Sequence, residues 1–289
     1  MWLILGGNGQ LGKCLADAFE AQDIDYVSFG RERCDITSGD SVNQIISDLH
    51  PAVVINAAAW TAVDAAESDP HGAMDANSTG AMNVARACAA EGTTLVHVST
   101  DYVFGRQAET PIPENAPRNP TSVYGRSKAE GEARVTRLHP NHSYIIRTAW
   151  LYSRYGKNFA KTMAARALSG SPVRVVNDQI GQPTCAADLA GHIIKLVSSG
   201  APVGIYHGTN SGQASWYEFA SAIYSIIGQE SSLVTPVPTS EYPTPAIRPT
   251  WSVLGHARTS EVGLPEMADW KSALSNEMPH IVAALTEEQ

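Results

Sequence analysis

The chain has 289 residues, 43% of them hydrophobic and 17% charged, a balance typical of a folded protein without long disordered stretches. The formal net charge is −9, and no cluster of Lys and Arg offers a basic face, so nucleic acid and anionic membranes are not expected as partners. The four cysteines form no C-x-x-C pair, and no apolar run reaches transmembrane length. We therefore expect a cytoplasmic protein with free thiols and no metal site.

Short apolar runs alternate with helical patterns through the first half of the chain. Strands are predicted at 1–5, 25–29, 52–56, 94–98 and 143–147. The helices predicted between them cover 10–22, 41–49, 71–91 and 122–138. This alternation predicts βαβ units and a Rossmann-like, doubly wound α/β fold with a parallel sheet.

A glycine-rich turn follows the first strand and opens the first helix, with the sequence Gly6-Gly7-Asn8-Gly9-Gln10-Leu11-Gly12. Its glycines allow the backbone to approach a pyrophosphate, which then lies at the helix N-terminus. An ordinary tight βα turn is the alternative, but the strand–turn–helix context favours a dinucleotide. The residues predicted to bind the cofactor here are Gly6, Gly9, Gln10, Leu11 and Gly12.

The residues after the second strand predict the choice of cofactor. An NAD site has an acidic residue there that binds the ribose 2′-hydroxyl, whereas this chain has Ser28-Phe29-Gly30-Arg31. A guanidinium pairs with a 2′-phosphate, so NADPH is favoured and NADH remains possible. Arg31 as a solvated loop charge is the alternative. Asp35 and Ile36 are predicted to lie beside the adenine.

Thr100, Tyr124 and Lys128 are the predicted catalytic residues. Thr100 follows the fourth strand, at the sheet edge where doubly wound folds bind ligands. Tyr124 and Lys128 are four residues apart on one helix and share a face. We expect the ammonium to lower the pKa of the phenol, so that Tyr124 protonates a carbonyl oxygen as hydride reaches its carbon. Thr100 would hydrogen-bond the developing oxyanion, and Lys128 would also reach the nicotinamide ribose.

The second half of the chain is less regular. Helices are predicted at 158–168, 186–198 and 215–227, and strands at 173–176 and 204–207. Five prolines predict an extended loop over 234–249. We predict an NAD(P)-binding domain over 1–148 with about 184–208, and a smaller C-terminal α/β substrate domain over 149–183 and 209–289.

Longer motifs across nearly the whole chain resemble those of the dTDP-4-dehydrorhamnose reductase family. The members of this family are extended short-chain dehydrogenases. One of them is Ser99-Thr100-Asp101-Tyr102-Val103-Phe104-Gly105. The other matching stretches are 56–59, 61–64, 123–128, 147–152, 177–179, 181–184, 242–245 and 248–249.

The resemblance implies reduction of the 4-keto group of dTDP-4-dehydrorhamnose by NAD(P)H, which gives dTDP-L-rhamnose. It implies that Tyr124 donates the proton and that Ala59, Trp60 and Thr61 lie along the cofactor. Arg248 would meet the nucleotide diphosphate. Related dehydratases have an acidic pair after the threonine, and Tyr102 replaces the second acid here, so dehydration is disfavoured. The residues implied to contact the sugar are Thr100, Asp101, Tyr102 and Trp150.

The sequence also departs from the family pattern. Trp60 stands where a histidine is frequent. Some members dimerise around a magnesium ion held by glutamates, but this chain has Cys14 and Cys185-Ala186-Ala187 at the corresponding places. We therefore expect no structural metal, and a monomer or weak homodimer. Two alternatives stay open: another nucleotide 4-keto-deoxysugar reductase or epimerase, and a non-catalytic regulatory subunit of the methionine adenosyltransferase type.

Overall fold

The computed structural model describes residues 1–105 and 109–287. The strands are β1 (Trp2–Leu5), β2 (Tyr26–Phe29), β3 (Val53–Asn56), β4 (Thr94–Thr100), β5 (Ser143–Thr148), β6 (Leu151–Tyr152), β7 (Val173–Val176), β8 (Ile180–Gly181), β9 (Thr184–Cys185), β10 (Gly204–His207), β11 (Ala214–Ser215) and β12 (Val234–Val237). The α-helices are α1 (Gln10–Ala21), α2 (Gly39–Leu49), α3 (Val63–Ser68), α4 (Pro70–Met74), α5 (Gly80–Glu91), α6 (Val123–Leu138), α7 (Phe159–Leu168), α8 (Ala186–Ser198), α9 (Trp216–Ile227), α10 (Ala257–Glu261) and α11 (Trp270–Glu287).

A six-stranded sheet in the order β10-β5-β4-β3-β1-β2 forms the centre of the molecule. All of its neighbouring strands are parallel, which confirms the predicted fold class. The predicted strands are present, and β4 continues past its predicted end to Thr100. Leu5 lies level with Phe29 on one side and with Asn56 on the other, so the carboxyl ends of β1, β2 and β3 share one edge. Doubly wound folds bind ligands at this edge.

Helices cover both faces of the sheet because successive strand side chains point to opposite sides. Ile4 packs with α1 and α8, whereas Leu3 and Leu5 pack with α2, α5 and α6. Each fully buried Leu or Ile contributes about 1.5–3 kcal/mol relative to an exposed one, so both faces stabilise the fold.

The segment predicted as one helix over 71–91 is interrupted. It consists of α4, a π-helical turn at Asp75–Thr79, and α5. Asn77 lies within the π-helical turn, and its side chain bonds Trp60 and the Ser127 hydroxyl. Local helical periodicity predicts a helix over this segment but does not distinguish one π-helical turn from the α-helical turns on either side of it.

The second half forms small sheets and helices beyond the carboxyl edge. The helices predicted at 158–168, 186–198 and 215–227 are present as α7, α8 and α9. The prediction of an extended loop over 234–249 is wrong at its start, since β12 pairs in parallel with β7. Pro236 fits in this strand because a two-stranded sheet leaves one edge free of ladder hydrogen bonds.

The last long helix, α11, was not predicted from the sequence. It contains Pro279, which normally interrupts a helix. Its buried residues Ala273, Leu274 and Ile281 pack with Phe219 of α9. No helix within residues 1–105 and 109–287 is long and apolar enough to cross a membrane.

Candidate active site

A cleft of about 820 Å³ opens at the carboxyl edge of the sheet, between the sheet and the second half of the chain. Nearly all residues predicted for the site line it. They are Gly6, Gly9, Gln10, Leu11, Arg31, Asp35, Ile36, Ala59, Trp60, Thr61, Thr100, Asp101, Tyr102, Tyr124, Lys128, Trp150 and Arg248.

The predicted cofactor residue Gly12 lies behind the glycine turn and not on the surface of the cleft. A Cβ on Gly12 would come within 2.4 Å of the Gly6 carbonyl oxygen, so its glycine allows α1 to pack against the turn. Gly6 has a φ of +84°, and a Cβ there would lie 2.5 Å from the Ala58 nitrogen. The turn therefore requires glycine at both positions.

The end of β2 leads into the predicted adenine side of the cleft. Arg31 Nε donates to Asp35 Oδ2 at 3.1 Å. The backbone and hydroxyl of Thr37 also bond this carboxylate and, with Arg31, lower the pKa of Asp35. Ile36 is buried, and a Cβ on Gly80 of α5 would come within 2.6 Å of its Cδ1.

Asn77 fixes the segment after β3 that carries Trp60. Its side-chain oxygen accepts from the Trp60 N–H at 2.8 Å, and its amide donates to the Trp60 carbonyl at 3.0 Å. The same amide group donates to Ser127 Oγ at 2.9 Å, one residue before Lys128 on α6. One buried side chain thus connects the cofactor segment to the catalytic helix.

Tyr124 lies beside Thr100, and burial raises the pKa of the phenol to about 12, while a hydrogen bond with Thr100 opposes this shift. The expectation that Lys128 lowers this pKa is therefore wrong. Lys128 Nζ donates instead to the Val98 carbonyl at 2.6 Å. Burial lowers the pKa of Lys128 to about 8, although Glu132 opposes that shift. At neutral pH the phenol is protonated, which suits a proton donor.

Asp101 places a buried carboxyl group in the same part of the cleft. Thr100 Oγ1 donates to Asp101 Oδ1 at 2.9 Å. Burial raises the pKa of Asp101 to about 6, while hydrogen bonds with the Ser252 and Thr100 side chains oppose this shift.

A buried ion pair supports the catalytic helix from behind. Arg147 of β5 donates through Nε and Nη2 to the two carboxylate oxygens of Glu132, at 2.9 and 2.8 Å. Ser99 Oγ donates to Glu132 Oε1 at 2.6 Å. Since Glu132 is one helical turn after Lys128, this network fixes α6 against β4 and β5. This ion pair was not predicted from the sequence, because the distance between Arg147 and Glu132 along the chain matches no local pairing pattern.

Trp150 forms an aromatic wall with a second tryptophan. It is a non-glycine residue with a left-handed φ of +45°, and its ring stacks on Trp216 with centroids 3.6 Å apart and planes within 9°. A Cβ on Gly181 would lie 2.6 Å from Trp150 Cε2, so the ring is held tightly. Trp216 lines the cleft but was missed. The capping box of Ser215 and Glu218 signals the start of α9, not where its first side chain points.

Arg248 also lines the cleft, but its guanidinium pairs with Asp64 at the start of α3. Nη2 donates to Oδ2 at 2.8 Å and Nη1 to Oδ1 at 3.1 Å. The Ala246 N–H donates to the same carboxylate at 3.2 Å. Arg248 and Ala246 together lower the pKa of Asp64. These bonds connect the proline-rich segment 234–249 to α3, in the Rossmann-like half of the chain.

Cys14 and Cys185 stand where the resemblance to the family implies metal-binding glutamates in some members. Within the described ranges, no group of three or more His, Cys, Asp or Glu residues is placed to hold a metal ion. Cys14 and Cys185 are both buried, and burial raises the pKa of each thiol to about 12. Both are therefore neutral thiols at neutral pH.

Comparisons with known proteins agree with this geometry. A family model described as RmlD substrate binding domain matches residues 1–282. A dTDP-4-dehydrorhamnose reductase from Streptomyces griseus is 40% identical over 282 residues, covering 96% of this chain and 93% of that protein. A probable dTDP-4,6-dihydroxy-2-methyloxan-3-one 4-ketoreductase from Streptomyces antibioticus is 39% identical, covering 98% and 96%. The crystal structure of dTDP-4-dehydrorhamnose reductase from Bacillus anthracis in complex with NADP has a TM-score of 0.92 at 38% identity, covering 96% of this chain and 98% of that one.

Proposed function

The chain belongs to the dTDP-4-dehydrorhamnose reductase family, and from this premise we propose that it reduces the 4-keto group of dTDP-4-dehydrorhamnose to give dTDP-L-rhamnose. The observation that carries the proposal is the meeting of Tyr124, Thr100 and Lys128 in the cleft that the glycine turn also lines. A proton donor beside a dinucleotide site is what reduction of a ketone requires.

The turn between β1 and α1 fits a dinucleotide. Gly9 precedes α1 without a side-chain cap, so backbone N–H groups of the first turn remain available to a pyrophosphate. Arg31 favours NADPH at the other end of the adenosine, and the Bacillus anthracis relative was crystallised with NADP. When bound, the cofactor supplies the hydride.

Tyr124 gives its proton to the carbonyl oxygen of the substrate. Its high pKa keeps the phenol protonated at neutral pH. The Thr100 hydroxyl, which donates to Asp101 in the structure, can rotate and donate to the oxygen as negative charge develops. The Lys128 ammonium, which donates to the Val98 carbonyl in the same cleft, would also donate a hydrogen bond to the nicotinamide ribose of the bound cofactor.

The opposite wall would bind the sugar nucleotide. The Asp101 carboxyl group belongs to the lining of the cleft, and we assign it a hydrogen bond with a sugar hydroxyl. The stacked rings of Trp150 and Trp216 present apolar surface to the deoxysugar, and Tyr102 packs edge-on against the Tyr124 ring. Arg248 can meet the diphosphate by exchanging one of its bonds to Asp64.

The same proposal divides the chain into a cofactor half (1–148 with about 184–208) and a substrate half (149–183 and 209–289). Two contacts support the return of 184–208 to the first half: β10 pairs with β5, and α8 packs on α1. A cytoplasmic location, a monomer or weak homodimer, and the absence of a structural metal stay predictions.

Mixing the pure protein with dTDP-4-dehydrorhamnose and NADPH or NADH tests the proposal. We expect oxidation of the nicotinamide and a product with the proton spectrum of dTDP-L-rhamnose. Turnover of a different 4-keto sugar nucleotide, with this one left unchanged, would favour the reductase alternative that the Streptomyces antibioticus relative represents. Cofactor binding without turnover of any keto sugar would favour a regulatory subunit and contradict the proposal.

A further inference from the structure

The side chain of Glu32 lies beside the end of β2, next to Gly30, which has no side chain of its own. Asn8, in the glycine turn, donates through Nδ2 to Glu32 Oε1 and Oε2, both at 3.3 Å. A Cβ built on Gly30 would lie 2.2 Å from Asn8 Nδ2 and 2.6 Å from Glu32 Oε1. The Glu32 carboxylate therefore fills the space where a side chain at position 30 would begin.

This position has a known chemical use in dinucleotide sites. A carboxylate near the end of the second strand accepts a hydrogen bond from the ribose 2′-hydroxyl of NAD. Sequence reading found Gly30 and Arg31 at this point and no acid, and so favoured NADPH. In the structure, the carboxylate of Glu32 lies at this place. The side-chain amide of Asn8 hydrogen-bonds it and holds it over Gly30.

The opposite charge lies on the preceding residue. Arg31 is bonded through Nε to Asp35, and a guanidinium has further N–H groups that can pair with a phosphate. Asn8, Gly30 and Arg31 all line the cleft. One edge of the adenosine region thus carries both a group that suits a 2′-hydroxyl and a group that suits a 2′-phosphate.

We propose that Glu32, positioned by Asn8, is a specificity-determining residue that opposes Arg31 in the choice between NADH and NADPH. Glu32 accepts a hydrogen bond from the 2′-hydroxyl of NADH and repels the 2′-phosphate of NADPH. Arg31 attracts that phosphate. The inference rests on the proposed function in assuming that a nicotinamide dinucleotide binds the cleft.

Dissociation constants of NADH and NADPH test this directly and need no sugar substrate. Energy transfer from tryptophan to the reduced nicotinamide gives both constants for the wild type and for each variant. We expect the wild-type constants to agree within about tenfold, since a charge-assisted hydrogen bond and an ion pair of similar strength oppose each other.

Glu32→Gln should shift the ratio of the two constants towards NADPH by about tenfold, through weaker NADH binding and tighter NADPH binding. Asn8→Ala should shift it in the same direction by a smaller factor, because the carboxylate stays but is no longer held. Arg31→Gln should shift it towards NADH. Asp48→Asn removes an exposed carboxylate from α2, outside the cleft, and should leave the ratio unchanged.

A ratio in Glu32→Gln within about twofold of the wild type would overturn the inference, since removal of one charge would then have no selective effect. A wild type that binds neither dinucleotide would remove the proposed function itself along with the inference. The two failures are therefore distinguishable in the same titration.

Discussion

The two walls of the cleft are built in different ways. The cofactor wall consists of consecutive short segments at the ends of β1, β2 and β3, whose geometry is fixed by glycines and by the register of the sheet. The substrate wall combines Trp150, Trp216 and Arg248, which come from three separate parts of the chain. The first wall depends on local backbone geometry, while the second depends on packing between distant segments. Substitutions in the cofactor wall should therefore change dinucleotide binding, and substitutions in the substrate wall should change binding of the sugar nucleotide.

Among the residues that surround the proton donor Tyr124, the largest loss is expected from Lys128, which lines the cleft between the two walls. Lys128→Met removes the ammonium beside Tyr124, and we expect kcat to fall by about 10²–10³, in the range that proton-transfer groups contribute. Steady-state kinetics at saturating cofactor measure this loss. Lys195→Met, on the exposed side of α8, is the matched control and should keep wild-type kcat. Equal activity of both variants would remove Lys128 from the mechanism.

The same residue predicts a pH dependence. Burial lowers the pKa of Lys128 to about 8, so the ammonium is charged below this pH and neutral above it. The phenol of Tyr124 has its pKa near 12 and stays protonated throughout. We therefore expect kcat/KM to be level between about pH 6, where Asp101 titrates, and pH 8, and to fall as the pH rises beyond 8. A profile that stays level up to pH 10 would contradict this assignment.

Substitutions in the substrate wall should have a smaller effect, which changes the KM for the sugar nucleotide and leaves cofactor binding unchanged. Trp216→Ala removes the ring that stacks on Trp150, and we expect KM for the sugar nucleotide to rise about tenfold, because the aromatic contact of about 1–1.5 kcal/mol also holds Trp150 in place. The dissociation constant of NADPH should not change. Trp216→Phe should restore much of the loss. A weaker affinity for NADPH in Trp216→Ala would show that the two walls are not independent.

The smallest effect should come from Asp64, whose ion pair with Arg248 joins the two walls. Arg248→Gln removes a cation that can meet the diphosphate, and we expect KM for the sugar nucleotide to rise about tenfold. Asp64→Asn weakens a partly exposed salt bridge and leaves Arg248 in place, so KM should change by no more than about threefold. If the two variants have equal effects, Arg248 acts through Asp64 and not through the substrate.

The cofactor wall could be predicted from sequence because its signals are local. The glycine turn, the end of β4 and the pair of Tyr124 and Lys128 each depend on spacing within one or two elements. The missed acid at the end of β2 shows the limit, since Glu32 reaches its position by a bend of the chain and a bond to Asn8. The pKa of Tyr124 was also misjudged, because the degree of burial is a property of the whole fold.

The substrate wall could be predicted only as far as its residues match family motifs. Arg248 and Asp64 are separated by 184 positions, and no local pattern pairs them. The strand β12 was taken for a loop because its prolines disfavour strands, whereas pairing with β7 decides the outcome. No helix was predicted over α11, which contains Pro279 and is stabilised by packing on α9. Tertiary contacts overrode local preference in each case.

The central claim is that the phenol of Tyr124 donates the proton while the surrounding cleft binds both ligands. The most direct test is Tyr124→Phe, which removes one oxygen and keeps the ring that packs against Tyr102. We expect kcat to fall by about 10²–10⁴, with unchanged dissociation constants for NADPH and for dTDP-L-rhamnose. A variant that binds both ligands and turns over within about threefold of the wild-type rate would contradict the account, since the proton would then come from another group.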